Sequence, residues 1–233
     1  MSGSQQKRSL SEIAGVILFF TLILSALYSL TRVIMPQPFA DEGFEYAPER
    51  SDYVLMFIQC LLGLVVLSLP SLVSRKWKFS IPNFIYVMYY LFLYCAIFLG
   101  EVLQFYYLIP HWDTILHFFS GAMLGALGFI LVSWLNDSEM IRISLTPAFI
   151  SLFAFCFALS CGAVWEIYEY VFDGLLDLNM QKFITSQGEI LSGRAAITDT
   201  MKDIIVDAFS ALMISVLGYG KLKTADLIRR KKS

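Results

Sequence analysis

The stretch TILHFFSGAMLGALGFILVSWL, Thr114 to Leu135, runs a full membrane thickness without an Asp, Glu, Lys or Arg. About 20 such residues carry an α-helix across a hydrocarbon core about 30 Å thick. Working outward, five further stretches are long and apolar enough: Ile13 to Leu30, Tyr53 to Val73, Asn83 to Leu108, Pro147 to Phe172, and Asp199 to Tyr219. Of the 233 residues, 58% are hydrophobic and 15% charged, whereas a soluble domain carries about a quarter charged. The expectation is an all-α, polytopic membrane helix bundle of six transmembrane helices in a single membrane domain. Residues 220–233 would be a basic cytoplasmic tail.

Orientation follows from the basic residues, which concentrate on the cytoplasmic side. With the N-terminus inside, the inner segments hold Lys7, Arg8, Arg75, Lys76, Lys78, Arg142, Lys221, Lys223, Arg229, Arg230, Lys231 and Lys232, twelve of the seventeen. The outer segments hold Arg32, Arg50, Lys182, Arg194 and Lys202. An N-in, C-in arrangement is therefore expected, its tail against an anionic inner leaflet. The first stretch follows Lys7 and Arg8 as a signal peptide would, but it is longer than an ordinary signal core and lacks a small-x-small cleavage site, so it reads as a retained anchor. Cys60, Cys95, Cys156 and Cys161 all fall within spans, without zinc-type spacing or a disulfide framework, and read as packing residues.

Two outer segments differ in kind. Met35 to Asp52 carries Asp41, Glu42, Glu45, Glu49 and Asp52 among Pro36, Pro38 and Pro48, and reads as an exposed acidic connector or a vestibule that gathers cations. Asp173 to Thr198 alternates apolar and polar residues from Leu175 to Ile184 before Gly188 and Gly193. That pattern suits a short interfacial helix followed by a lid, or an ordinary surface loop.

On this orientation the intramembrane ionisable residues gather at one depth. Glu101 and Gln104 lie in the outer part of the third span, Asp113 and His117 at the start of the fourth, and Glu166 and Glu169 near the end of the fifth. The sixth descends through Asp199, Asp203 and Asp207 in steps of four. Residues three or four apart share a helix face. Asp113, His117, Gly121 and Gly125 therefore form one stripe, with Gly128 close by. Asp199, Asp203, Asp207, Ala211 and Ser215 form a second, and Glu166, Gly162, Ala158 and Ala154 a third. Small residues let helices approach closely within a membrane, and the same faces end in ionisable groups.

A charge inside a bilayer costs about 2.5 to 3.5 kcal/mol on insertion scales, so seven carboxylates near one level call for a cation, shared protons or water. Carboxylates with imidazole suit a divalent ion: magnesium, manganese or calcium where oxygens dominate, zinc or iron where His117 ligates. The candidate ligands are Asp113, His117, Glu166, Glu169, Asp199, Asp203 and Asp207. Glu101, His111 and Gln104 are candidates for the surrounding shell or vestibule. His117 has an alternative, a hydrogen bond across helices to Glu166 or Asp203. The exposed turn at Pro110 and His111 has aromatic-belt anchors in Phe105, Tyr106, Tyr107 and Trp112.

The order Trp112-Asp113-x-x-x-His117-Phe118-x-x-Gly121, then Trp165-Glu166-x-x-Glu169, then Asp199-Thr200-x-x-Asp203-x-x-x-Asp207, resembles the YjdF-like small bacterial inner-membrane proteins. Trp112 stands where that pattern has Tyr. The resemblance implies a multi-pass protein of the bacterial plasma membrane and marks these positions without assigning chemistry. A looser similarity, by order and residue type only, is to VanZ-like membrane proteins, which are associated with glycopeptide resistance at the envelope.

Three functions fit the pattern. One is a metal-dependent enzyme acting on a lipid or envelope substrate, with Glu166 or Glu169 as general base on a metal-bound water. Its weakness is the lack of a phosphate clamp, since Lys202 and Arg194 are the only cations counted near the site, so phosphoryl substrates are not strongly favoured. Another is a cation- or proton-coupled carrier, against which the packed inner halves and the lack of an inverted repeat argue. The third is a non-catalytic envelope or assembly protein whose polar cluster sets helix pairing. The bilayer is the expected partner, nucleic acid is not, and oligomeric state is left open.

Overall fold

In the computed structural model the described residues are 9–35, 50–78, 80–137, 145–185 and 189–232, with side chains at 136–137, 226–227 and 229–232 left aside. The acidic run from Asp41 to Glu49, and Lys7, Arg8, Arg142 and Gly188, lie outside them. The described residues are almost wholly helical, and six helical stretches are long and apolar enough to cross a membrane: Leu10–Ile34, Arg50–Trp77, Asn83–Val102, Trp112–Leu135, Pro147–Leu176 and Ala195–Ala225. Large apolar side chains such as Phe20, Leu24, Val65, Leu152, Val164, Ile205 and Phe209 are exposed, while Asp203, Asp207 and Glu166 are buried. That inversion of the soluble pattern is what a lipid surround demands. The chain divides into two compact units, Met1–Trp112 and Asp113–Ser233.

The first unit is built on α1 (Leu10–Ile34). Ser9 caps it reciprocally with Glu12: the Ser9 hydroxyl accepts from the Glu12 amide at 3.3 Å, and the Ser9 amide donates to Glu12 Oε2 at 3.1 Å. Arg32 in the last turn complements the helix dipole. Leu18, Leu22 and Ala26 bury against Cys60, Leu93 and Ile97. A Cβ on Gly63 would stand 2.6 Å from Ile97 Cδ1, so glycine there lets the neighbouring helix close up.

The second stretch is α2 (Arg50–Leu67) followed by α3 (Leu69–Trp77), broken at Ser68. Pro70 has no N–H for the carbonyl of Val66 four residues back, and in a membrane no water will supply one. The Tyr89 hydroxyl donates to that carbonyl at 2.8 Å instead. Tyr89 belongs to α4 (Asn83–Leu93), which continues as a π-helix over Tyr94–Val102. The stretch read as one span from Asn83 to Leu108 is therefore not one α-helix. The wider π turn is closed by the Leu103 amide donating to the Phe98 carbonyl at 2.9 Å, Gln104 turns left-handed at φ 61°, and α5 (Phe105–Leu108) is a separate turn.

The second unit contains α6 from its second residue (Trp112–Asp137), α7 (Pro147–Leu176) and α8 (Thr198–Lys232). Thr146 caps α7 by accepting from the Phe149 amide at 3.3 Å, with Pro147 in the first turn, where a missing N–H costs nothing. Small residues set the packing. A Cβ on Gly128 would lie 2.9 Å from Ala154 Cα, and one on Gly125 would lie 3.3 Å from Ile214 Cγ2. Between α7 and α8 no interfacial helix forms among the described residues. Asp177 ends α7 in the left-handed region, Ile184 and Ile190 make an isolated antiparallel bridge, and Ala195–Ile197 is a single 3-10 turn.

Candidate functional site

The polar residues of the second unit meet at one end of its helices: the start of α6, the end of α7 and the start of α8. Asp113 in the first turn of α6 and Asp199 in the first turn of α8 sit where a helix dipole favours negative charge. Glu166, Glu169 and Asp173 lie toward the C-terminal end of α7, where the dipole opposes them. Their placement must be sustained by neighbours.

His117, one turn deeper than Asp113 and 6% exposed, is the centre of the arrangement. Its Nδ1 stands 3.2 Å from Asp207 Oδ2, while Nε2 faces Glu166 Oε1 at 3.7 Å and Asp113 Oδ1 at 3.8 Å. Asp113, His117 and Asp203 each present a ligand atom within 4.8 Å of the others. The hydrogen bond across helices goes to Asp207 rather than to either partner considered above. With a proton on Nδ1 donated to Asp207, the Nε2 lone pair is turned toward Asp113 and Glu166. A histidine backed in this way by a carboxylate is the common arrangement behind metal-ligating imidazoles.

The carboxylates are under-compensated. Glu166 is 4% exposed and Asp203 and Asp207 1% each, and both oxygens of Glu166, with Oδ1 of each aspartate, are buried without a hydrogen bond. Thr200, one residue after Asp199, accepts from Gln181 Nε2 at 2.7 Å. Glu169 Oε1 accepts from Trp165 Nε1 at 2.9 Å. Glycine makes room for these groups: a Cβ on Gly162 would collide with the Asp207 carboxylate, and one on Gly121 would lie 3.0 Å from the Asp207 carbonyl oxygen.

Lys182 is the residue that sequence reasoning missed. Its Nζ pairs directly with Asp113 Oδ2 and stands 3.3 Å from Asp199 Oδ2, whereas of the two cations counted nearby Arg194 is exposed and Lys202 is half-buried beside Asp199. Burial alone would lower the lysine pKa, but Asp113 and Asp199 outweigh it and hold the ammonium charged beyond its ordinary range. The loop that delivers it is firmly tied. Asp173 accepts from the amides of Met180 at 2.8 Å and Gln181 at 3.0 Å, and Asn179 bridges the amide and carbonyl of Ile184 at 2.9 and 2.8 Å. Lys182 itself is left-handed, at φ 50°. An Asp followed by an Asn six residues later was the available hint, since both side chains favour local backbone capping.

Glu101, Gln104 and His111 belong to the first unit. Glu101 Oε1 accepts from Gln59 Nε2 at 3.0 Å, Gln104 Nε2 donates to the Glu101 carbonyl at 2.8 Å, and His111 is exposed in its turn at φ 61°. An open apolar groove of about 430 Å³ runs between α6 and α8, lined by Thr114, Ile115, Phe118, Ile205, Val206 and Phe209. None of the clustered ionisable side chains lines it.

A protein of Thermotoga maritima, described as an uncharacterized protein, is 29% identical over 136 residues, covering 58% of this chain and 61% of that protein. No solved structure matches the chain. The YjdF-like resemblance corresponds to a family model described as a predicted membrane protein, DUF2238, while the similarity to VanZ-like proteins finds no support among these matches. Because that model matches residues 43–224 and takes in the whole carboxylate cluster, the chain belongs to the DUF2238 family of predicted membrane proteins.

Proposed function

We propose that the cluster of the second unit holds a divalent cation, magnesium, manganese, calcium or zinc, for metal-dependent chemistry on a lipid or envelope substrate. Asp113, His117 and Asp203 are the first ligands and Glu166 an available fourth. Asp207 orients the imidazole, and Glu169 is a candidate base. The observation that carries this reading is the His117 geometry, Nδ1 on Asp207 and Nε2 toward Asp113 and Glu166. The balance of charge supports it. Among the described residues, Asp113, Glu166, Glu169, Asp199, Asp203 and Asp207 face His117 and Lys182, with Lys202 beside Asp199, as groups able to carry positive charge, and an uncompensated buried carboxylate costs several kcal/mol. On an N-in topology the cluster lies toward the outer leaflet of a bacterial plasma membrane.

A second reading, a polar network that only fixes helix pairing, is favoured by one observation: Lys182 already bridges Asp113 and Asp199. The carrier reading has less support, because the small residues Gly125, Gly128, Ala154 and Ala158 close the helices together away from the cluster.

The deciding experiment is elemental analysis of protein purified in detergent without chelator, beside Asp203→Ala and His117→Ala. Near-stoichiometric metal in the wild type and its loss in both variants, with membrane insertion unchanged, is the expected result. Equal loss of folding in the variants, with no metal in any of the three, would establish the structural network instead.

A further inference from the structure

We infer that Lys182 is a tethered counter-cation that competes with the bound ion for Asp113 and thereby makes the site select divalent over monovalent cations. The inference rests on the cation reading above.

Asp113 carries both halves of the argument. Its Oδ2 is paired with the Lys182 ammonium, and its Oδ1 faces His117 Nε2 at 3.8 Å within the group that can hold a metal. A doubly charged ion on one oxygen and an ammonium on the other repel each other across a single carboxylate, and solvent at the part-exposed Lys182 reduces that repulsion without removing it. Binding of the ion must weaken or displace the Lys182 contact.

The competitor is preorganised. The Asp173 carboxylate on the Met180 and Gln181 amides, the Asn179 bridge to Ile184, and the Gln181 contact with Thr200 hold the loop, so the ammonium reaches Asp113 with little ordering left to do. A monovalent ion that displaced it would exchange one positive charge for one and leave the charge balance of the cluster unchanged. A divalent ion adds a charge to a cluster in which carboxylates are in excess. The tether therefore sets a threshold that divalent ions clear and monovalent ions do not.

The test is manganese(II) binding to the full-length protein in detergent. The free aquo-ion is followed by electron paramagnetic resonance at constant ionic strength, with sodium exchanged for a bulky organic cation. Lys182→Met is expected to bind manganese about tenfold more tightly than wild type without sodium, because the occupied fraction of Asp113 is released. Its binding should also become sensitive to sodium. Lys182→Arg should keep the wild-type affinity. Asp173→Asn loosens the loop while leaving Lys182 in place, and should shift affinity in the same direction by less, which keeps the question decidable if Lys182→Met folds poorly. Manganese binding in wild type that is equal or weaker in Lys182→Met and Asp173→Asn overturns the tether alone. Absence of binding in wild type and every variant overturns the cation reading together with it.

Discussion

The two units solve the membrane problem in different ways. In the first, buried polar groups come mostly as matched donors and acceptors: Ser11 on Asn83, Arg32 on the Tyr53 hydroxyl at 3.1 Å, Gln59 on Glu101 at 3.0 Å, and Tyr89 on the Val66 carbonyl. The centre between them is apolar, Leu18 and Leu22 against Cys60 and Ile97. In the second unit the buried centre is itself ionisable, and acceptors outnumber donors around His117. A matched pair needs nothing further to be stable in lipid, whereas a surplus of carboxylates does. The contrast separates a unit whose buried polar groups are matched from the unit that carries the candidate site.

The strongest way to break the comparison is to fill a close approach. Gly162→Leu drives a side chain into the Asp207 carboxylate and is expected to destabilise by about 3 kcal/mol or more, since overpacking here also displaces a buried charged group. Retained thermal stability in detergent would mean that α7 and α8 do not pack as described. Next in size is Leu22→Ala in the apolar centre of the first unit, 0% exposed. A loss of about 2 to 4 kcal/mol is expected from the cavity it leaves, read as a lower unfolding midpoint, and a neutral result would deny that unit a packed core.

Glu166→Gln sharpens the contrast because its sign depends on the ion. After chelation the variant should be more stable than wild type by about 1 to 3 kcal/mol, because a buried carboxylate without a hydrogen bond has been made neutral. With the ion restored the advantage should vanish or reverse. A variant less stable than wild type under both conditions would show that Glu166 is satisfied by its protein neighbours alone. The smallest effect belongs to Tyr89→Phe, which removes the donor at the Pro70 break and should cost about 1 kcal/mol. Faster amide exchange confined to α2 and α3 would locate the loss, and an unchanged exchange pattern would refute the compensation.

Much of this was legible beforehand. Long apolar runs announce spans because a backbone in lipid must satisfy its own hydrogen bonds, and helices do so locally. The helical spacing of Asp199, Asp203, Asp207, Ala211 and Ser215 placed them on one face, along which the last four are buried and Asp199 is half-buried. The break at Gln104 was less accessible. It depends on a π turn whose closing hydrogen bond reaches five residues back, and no spacing rule for an ordinary helix marks it. Lys182 was hidden for another reason. The alternation of its segment sets no partner across the fold, so its distance from Asp113, 69 positions away in the chain, is decided by Asp173, Asn179 and Gln181 holding the turn.

By itself the sequence determined the class, the number of apolar stretches able to cross the membrane, and the identity of the ionisable faces, because these follow from hydropathy and from a helical period that any segment carries locally. Only the tertiary structure decided which carboxylate backs His117, that Glu166 keeps two unbonded oxygens, and that a loop lysine stands between Asp113 and Asp199. Those outcomes rest on contacts between residues far apart in the chain. Packing geometry sets such contacts within a few tenths of an ångström, and no local pattern encodes it.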